Sequence, residues 1–315
     1  MKIVILDAQT VSKNDVDLNV FSKYGELVVH QLTSPSDTAE RIKDADVVIC
    51  NKTVLGENEI KDAKNLKFIT LFATGYNNID VDYCRERGIV VSNAASYSTD
   101  AVAQHTFALI LEHYSNVGKY SAFVEKGGWM DTPSFSPFVF PTDEIAGKTL
   151  GIFGLGSIGK AVADIALAFK MKVIAHSRTP KNYRDVKDVS FDELLENSDI
   201  ISLHSPLNDS TKKIFDEDAF DKMKDGAYFV NTARGAVTDE YALARALESG
   251  KLSGAAIDVL TNEPMQTDCP IFNAPNVTIT PHVAWAPLTT RKRLIDILCG
   301  NIEAFIAGNP INKVN

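Results

Sequence analysis

Short apolar runs, separated by mixed polar stretches of helical length, organise the first part of the chain. KIVIL (Lys2 to Leu6), closed by Asp7, is followed by ELVVHQL (Glu26 to Leu32), ADVVIC (Ala45 to Cys50), LKFITLFA (Leu66 to Ala73) and IVVSN (Ile89 to Asn93). Runs this short and continuous suit strands covered on both faces, the condition of a parallel sheet. The segments between them, such as SDTAERIKDA, have the polar mixture of surface helices. Strand and helix in alternation predict βαβ units.

The texture changes at SYSTDAVAQHTFALILEHY. Asp100 is placed to cap a helix over Ala101 to Tyr114, apolar on most sides and so largely buried, which could connect two domains. The next stretch, SAFVEKGGWMDTPSFSPFVFPTDEIAG, reads as a long loop, and such loops are uncommon in compact domains unless they have a job. Its Phe135, Phe138 and Phe140 need a surface, on the same subunit or on a second copy. A homodimer through the 101–145 region is therefore expected. From Thr149 a second series begins: strand, glycine turn and helix in TLGIFGLGSIGKAVADIALAF, then strands in KVIAHS, SDIISLHSPL, AYFVNTARG, GAAIDVL and NVTITPHVA. DEYALARALESGKLSG is a helix ending near Gly250 and Gly254. The final TTRKRLIDILCGNIEAFIAGNP is a helix able to return to the first domain. The expected organisation is one α/β domain over 1–98 plus 288–315 and another over 99–287.

Composition narrows the partners. The chain has 315 residues, is 45% hydrophobic and 23% charged, and carries a net charge of −9. That is enough apolar surface for two cores. The acidic balance argues against a nucleic-acid or anionic-membrane partner, which would need clustered Lys and Arg. A local basic pocket for a small anion stays possible. Cys50, Cys84, Cys269 and Cys299 form no C-x-x-C pair and have no His at metal-ligand spacing. They read as reduced thiols of a cytoplasmic protein without a metal site. MKIVILDAQT is too short and too quickly polar for a signal peptide, and no run reaches the roughly 18 apolar residues of a membrane span.

Gly154, Gly156 and Gly159 form G-x-G-x-x-G directly after TLGIF and open a helix. In that context the first glycine permits a tight turn, the second lets the backbone approach a pyrophosphate, and the third lets helix and strand pack closely. The helix start at Ser157 and Ile158 offers N–H groups to the phosphates. A ribose-binding carboxylate is expected about 20 residues further on. Ser177 stands there instead, followed by Arg178 and Thr179. Hydroxyls and a fixed cation suit a 2′-phosphate, so NADP(H) is favoured and NAD(H) remains possible. Lys181 and Arg184 push weakly the same way, partly cancelled by Asp185 and Asp188.

Three further stretches add the chemistry. NTARGAVTDEYAL (Asn231 to Leu243) places Arg234 after a strand, AAIDVLTNEP places Asp258 and Glu263, and TPHVAWAP places His282. With the glycine turn and FATGYNNID (Phe72 to Asp80), the chain resembles the D-isomer-specific 2-hydroxyacid dehydrogenase family over nearly its whole length and in the family's motif order. The resemblance implies two Rossmann-like parallel-sheet domains, one flavodoxin-like and one NAD(P)-binding, with a substrate cleft between them. It also implies hydride transfer between NAD(P)H and a 2-keto acid. That reaction needs a cation for the carboxylate, a proton donor for the carbonyl oxygen and a hydride source. Arg234 supplies a planar guanidinium, His282 an imidazole able to give a proton near working pH, and Glu263 a partner for the second ring nitrogen.

By the same resemblance Thr74, Gly75 and Tyr76 form the substrate loop, the first two offering N–H groups to the carboxylate. Asp258 would meet the nicotinamide carboxamide, and His204, Pro206, Thr232 and Ala233 would line the cofactor. HVAWA together with ATGYN looks most like the branch of glycerate dehydrogenases and hydroxypyruvate/glyoxylate reductases. Trp285 would narrow the pocket and offer an N–H to a small polar 2-keto acid. The alternatives are a broad-specificity D-2-hydroxyacid dehydrogenase, or a cofactor-sensing corepressor or scaffold. The latter is disfavoured by the lack of long disordered arms or a basic patch. Formate dehydrogenases carry Gln where Glu263 stands. Phosphoglycerate dehydrogenases usually add a regulatory domain for which this chain has no residues.

Overall fold

A computed structural model describes residues 1–315. The chain divides into two compact units, Met1–Ser98 with Ala286–Asn315, and Thr99–Trp285. The first is built on five parallel strands: β1 (Lys2–Ile5), β2 (Glu26–Val29), β3 (Val47–Cys50), β4 (Phe68–Leu71) and β5 (Val90–Ser92). Their order is β2-β1-β3-β4-β5, so the direction of winding reverses between β1 and β3. Every residue of β3 and β4 is buried, as continuous apolar runs require when helices cover both faces. Strand β2 lies at an edge, and its Glu26 and Val29 are exposed. The helices between strands are α1 (Pro35–Ile42), α2 (Glu57–Ile60) and α3 (Val81–Glu86), the last begun by Asp80, whose carboxylate accepts the Tyr83 N–H. The C-terminal helix, Leu288–Ile306, packs here too, with Phe305 stacked on Phe68 at 4.5 Å between ring centroids.

The second unit opens with α4 (Thr99–Ser115) and α5 (Val117–Glu125). Two details differ from the sequence reading. Helix α4 begins at Thr99, so Asp100 sits in its first turn rather than at its cap, where its charge still complements the helix N-terminus. The start of the expected loop, SAFVE, is the end of α5; the irregular stretch begins only at Lys126. Phe140 packs edge-on against Tyr120 at 5.1 Å, whereas Phe135 and Phe138 are 90% and 85% exposed.

Seven parallel strands come next: β6 (Thr149–Phe153), β7 (Lys172–His176), β8 (Val186–Asp188), β9 (Ile200–Leu203), β10 (Ala227–Asn231), β11 (Leu252–Ile257) and β12 (Val277–Ile279). The sheet order is β12-β11-β10-β9-β6-β7-β8, which reverses between β6 and β9. Strand β8, an edge strand of three residues, has no counterpart in the sequence reading. Helices α6 (Ser157–Ala168), α7 (Phe191–Asn197), α8 (Glu217–Lys222) and α9 (Glu240–Glu248) alternate with the strands. Ser190, Asp216 and Asp239 cap the last three through their side chains. No helix is long and apolar enough to cross a membrane. Both sheets are parallel and helix-flanked, as the sequence predicts.

Candidate active site

In doubly wound sheets ligands bind beyond the carboxyl ends of the strands, where the winding reverses. In the second unit that place is the end of β6, and the glycine turn occupies it. Gly154 adopts φ +101°, and a Cβ there would come within 2.7 Å of the Ser205 nitrogen, so only glycine fits the turn. A Cβ on Gly159 would meet the Gly154 carbonyl oxygen at 2.2 Å, which makes the turn and helix inseparable. Gly156 is different: a Cβ on it would enter open space. It begins α6, so the first N–H groups of that helix, at Ser157 and Ile158, border room that a phosphate could fill. Beside the turn, after β9, the buried His204 Nδ1 and Ser205 Oγ have no hydrogen-bond partner. Buried polar atoms are almost always paired, so these two fit a corner completed by a ligand. Burial pushes the His204 ring down to about 3, so it is neutral. Its Nε2 pairs with Ser202 Oγ at 2.8 Å. Pro206 is exposed on the same connection.

At the end of β7 the Ser177 hydroxyl accepts the Leu155 N–H at 2.8 Å, tying this corner to the glycine turn. Arg178 and Thr179 are exposed, and Arg178 has no ion-pair partner. Arg184 is not equally available: it pairs with Asp164 at 3.1 Å and lies over the Tyr183 ring. Asp188 is likewise committed, accepting the Lys181 and Asn182 N–H groups.

The ends of β10, β11 and β12 carry the remaining polar groups. Asn231 organises the turn after β10, its carbonyl accepting the Ala233 N–H and its amide donating to the Arg234 carbonyl. Arg234 is half-buried, donates one hydrogen bond to Ala233 O at 2.7 Å and has no carboxylate partner. A half-buried guanidinium without a counter-ion is costly, and planar anions are what it holds best. Gly235, next to it, lies so close to Leu260 that a Cβ would overlap its backbone at 1.9 Å. The Arg234 turn is thus pressed against the turn that carries Glu263. Thr232, buried, pairs with Thr106 of α4 at 3.1 Å.

Glu263 accepts the Leu260 N–H through Oε1 and the His282 Nδ1–H through Oε2 at 2.7 Å. A carboxylate only accepts, so the Nδ1 proton is fixed and Nε2 is left to face a reacting group. His282 itself has φ +54°, the left-handed region that a bulky residue enters only when its surroundings force it. The force comes from Asp258. Its carbonyl accepts the His282 N–H at 2.8 Å, and its carboxylate accepts the N–H groups of Val283 at 2.9 Å and Ala284 at 3.0 Å. Thr280 Oγ1 donates to the same carboxylate at 2.5 Å, and His105 Nε2 reaches Thr280 Oγ1 at 3.1 Å. Asp258 is 2% exposed. This anchoring of the His282 loop was not foreseen for Asp258, and nothing local in the sequence signals it.

In the first unit, Thr74, Gly75 and Tyr76 come after β4. Thr74 Oγ1 donates to Ala94 O at 2.7 Å, while the N–H groups of Thr74 and Gly75 donate to no protein acceptor. Tyr76 is 39% exposed. Trp285, half-buried, ends the second unit. Arg234, Glu263, His282, Asp258 and the glycine turn therefore share one unit, and the Thr74–Tyr76 loop belongs to the other.

A reversal-point glycine turn with orphaned polar atoms beside it, on the same sheet as an unpaired arginine and a carboxylate-bound imidazole, defines a dinucleotide-dependent oxidoreductase. The chain belongs to the D-isomer specific 2-hydroxyacid dehydrogenase family, whose NAD-binding domain matches residues 107–284. It is thus an NAD(P)-dependent oxidoreductase of the kind that acts on CH–OH donors. Among curated proteins it is 40% identical to a hydroxypyruvate reductase of Blautia hydrogenotrophica, with 100% of each chain covered. It is 35% identical to a glycerate dehydrogenase of Methylorubrum extorquens, covering 99% of this chain and 98% of that protein. Among solved structures, an acyclic imino acid reductase in complex with NADPH and D-Arg superposes with a TM-score of 0.89 at 34% identity, with 100% of each chain covered.

Proposed function

We propose that the protein reduces a small 2-keto acid, hydroxypyruvate or glyoxylate, to the D-2-hydroxy acid, with NADPH preferred over NADH. The observation that carries this reading is the Glu263–His282 pair at 2.7 Å on the same sheet as the unpaired Arg234. When bound, the reduced nicotinamide supplies the hydride. Gly154, Gly156, Gly159 and the first turn of α6 hold its pyrophosphate. Pro206, Thr232 and Ala233 lie along it, with His204 and Ser205 closing the corner, and Ser177, Arg178 and Thr179 receive the 2′-phosphate. Arg234 binds the substrate carboxylate and orients the carbonyl. His282 gives the Nε2 proton to the carbonyl oxygen as negative charge develops there, while Glu263 holds the ring and balances its positive form. In the reverse direction the same nitrogen takes the hydroxyl proton. The free N–H groups of Thr74 and Gly75 bind the substrate carboxylate, and Tyr76 and Trp285 set the size of the substrate. Asp258 has a free lone pair for the carboxamide besides its grip on the His282 loop.

The chain is further proposed to work in the cytoplasm as a homodimer through residues 101–145. The exposed Phe135, Phe138 and Met130, the last 86% exposed, support this. A monomeric mass by light scattering at micromolar concentration would refute it. The functional reading is tested by one assay panel: glyoxylate, hydroxypyruvate, pyruvate and longer 2-keto acids, each with NADPH and NADH, and pyruvate also with an added amine. The expected result is highest kcat/KM for hydroxypyruvate or glyoxylate with NADPH. Comparable turnover of long 2-keto acids would favour a broad-specificity dehydrogenase. No cofactor oxidation with any substrate would overturn the enzymatic assignment of the site.

A further inference from the structure

The first unit contains a chain of asparagines, two of them buried, that leads from the C-terminal tail to the Thr74–Gly75 loop. The tail covers the edge of β5: Ser92 bridges Lys313 in antiparallel fashion, the Val314 N–H donates to Val91 O at 2.9 Å, and Asn315 bonds the backbone at both Val91 and Ile89. Within the tail, Asn312 adopts φ +52° and donates its side-chain amide to Asn301 Oδ1 at 2.8 Å. Asn301, on the C-terminal helix and 0% exposed, donates in turn to Asn93 O at 3.0 Å and Thr70 Oγ1 at 3.2 Å. Asn93 receives the tail again, its N–H donating to Asn312 O at 3.1 Å, and its own side-chain amide donates to Thr74 O at 2.7 Å. A backbone carbonyl can only accept, so the bonds to Asn93 O and Thr74 O fix the orientation of two of the amides.

The last bond in the chain has a directional consequence. The carbonyl of Thr74 and the N–H of Gly75 belong to one planar trans peptide and point in opposite directions. Pulling the carbonyl onto Asn93 therefore aims the Gly75 N–H away from the core, where it has no protein acceptor. A leucine-sized apolar residue would fill a core position at least as well as Asn301. A hydrogen-bonded polar network centred on a buried asparagine adds instead rigidity and a unique geometry.

We propose that Asn93, Asn301 and Asn312 are positioning residues for keto-acid binding, which hold the Thr74–Gly75 peptide plane so that its N–H faces the substrate carboxylate. The inference rests on the reading that this loop binds the carboxylate. It makes the C-terminal tail, remote in sequence, part of the substrate site's support. Neither role involves the second unit's residues, so the effect belongs to the keto acid and not to the dinucleotide.

The test compares Asn93→Ala and Asn312→Gly with Gly75→Pro, which deletes the N–H itself. Steady-state kinetics with hydroxypyruvate and NADPH are measured on the full chain, with amide hydrogen exchange at Ala94 in the ligand-free protein. Losing one part-buried hydrogen bond predicts a rise in keto-acid KM of about tenfold for Asn93→Ala and about threefold for the more distant Asn312→Gly. The cofactor KM should stay unchanged and exchange at Ala94, whose N–H donates to Ala73 O beside the loop, should quicken. Asn312→Gly keeps a residue suited to positive φ and removes only the side-chain amide, so it carries the test if Asn93→Ala does not fold. Unchanged keto-acid KM and exchange in the asparagine variants, with a raised KM in Gly75→Pro, would overturn the relay and leave the loop's role standing. No change in any of the three would overturn both. An equal rise in the KM of keto acid and cofactor would reduce the network to general stability and also overturn the proposal.

Discussion

The loop that carries His282 and the turn that carries Arg178 both lie beyond strands of the seven-stranded sheet, and they are built in opposite ways. His282 is constrained at every level. Its ring is held by Glu263, its N–H by the Asp258 carbonyl, and the two residues after it by the Asp258 carboxylate. Arg178 is exposed, with one neighbour, Ser177, tied to the glycine turn and no partner of its own. A proton donor, the role proposed for His282, must stay within a few tenths of an ångström of the reacting atom, and for that role rigidity is worth the cost of a left-handed backbone. A cation meant to meet a 2′-phosphate, the role proposed for Arg178, needs charge more than fixed geometry. The first region should therefore fail as a unit when one support is removed, and the second should fail only for the ligand that uses the charge.

The largest effect tests the first half of that contrast. His282→Ala removes the proposed proton donor, and a positioned general acid contributes about 100- to 10,000-fold. A fall of that order in kcat, with dinucleotide binding intact by fluorescence titration, is the expected outcome; turnover near wild type would remove His282 from the chemistry. The next effect comes from a residue that need not touch the reacting atoms. In Asp258→Asn, an NH2 replaces one of two acceptors facing the N–H groups of Val283 and Ala284. A buried donor left unpaired costs about 1–3 kcal/mol. We expect a lower thermal midpoint and a kcat reduced about tenfold to a hundredfold if that energy is drawn from the His282 geometry. A raised cofactor KM with kcat unchanged would show instead that the carboxamide contact is what Asp258 provides.

What the sequence disclosed divides along the same line. The glycine turn was legible because a Cβ cannot fit at Gly154, and Arg234, Glu263 and His282 stood out through the family's motifs, where the proposed chemistry asks for a guanidinium, a carboxylate and an imidazole. The strands were legible where burial on both faces makes them continuous, as in VVIC and FITL. Strand β8 was not, because three residues at an edge leave no period to read. The role of Asp258 and the chain through Asn93, Asn301 and Asn312 were also hidden. Each depends on backbone N–H and C=O groups that only the folded sheets bring together, and an asparagine in a helix carries no local mark of a distant partner. Arg184 misled slightly for the same reason: its partner Asp164 lies on α6 and meets it only after the turn has formed.

The smallest effect tests the second half of the contrast and is the most selective. The Ser177 hydroxyl gives one of its two lone pairs to the Leu155 N–H and keeps its proton to donate, beside the Arg178 guanidinium, which can only donate. Both are donors. A 2′-phosphate, all acceptors and doubly charged near neutral pH, would use both, whereas the ribose diol of NADH carries no charge for Arg178 to meet and finds no carboxylate among Ser177, Arg178 and Thr179. A hydrogen bond to a charged group is worth about 1.5–3 kcal/mol, so Arg178→Ala should raise the KM for NADPH about tenfold to a hundredfold. The KM for NADH and both kcat values should barely change, since nothing in the His282 loop leans on Arg178. Equal rises for the two cofactors would place Arg178 on a part they share and refute the phosphate reading. A fall in kcat would be more damaging, because it would mean that the exposed corner and the constrained loop are mechanically one site.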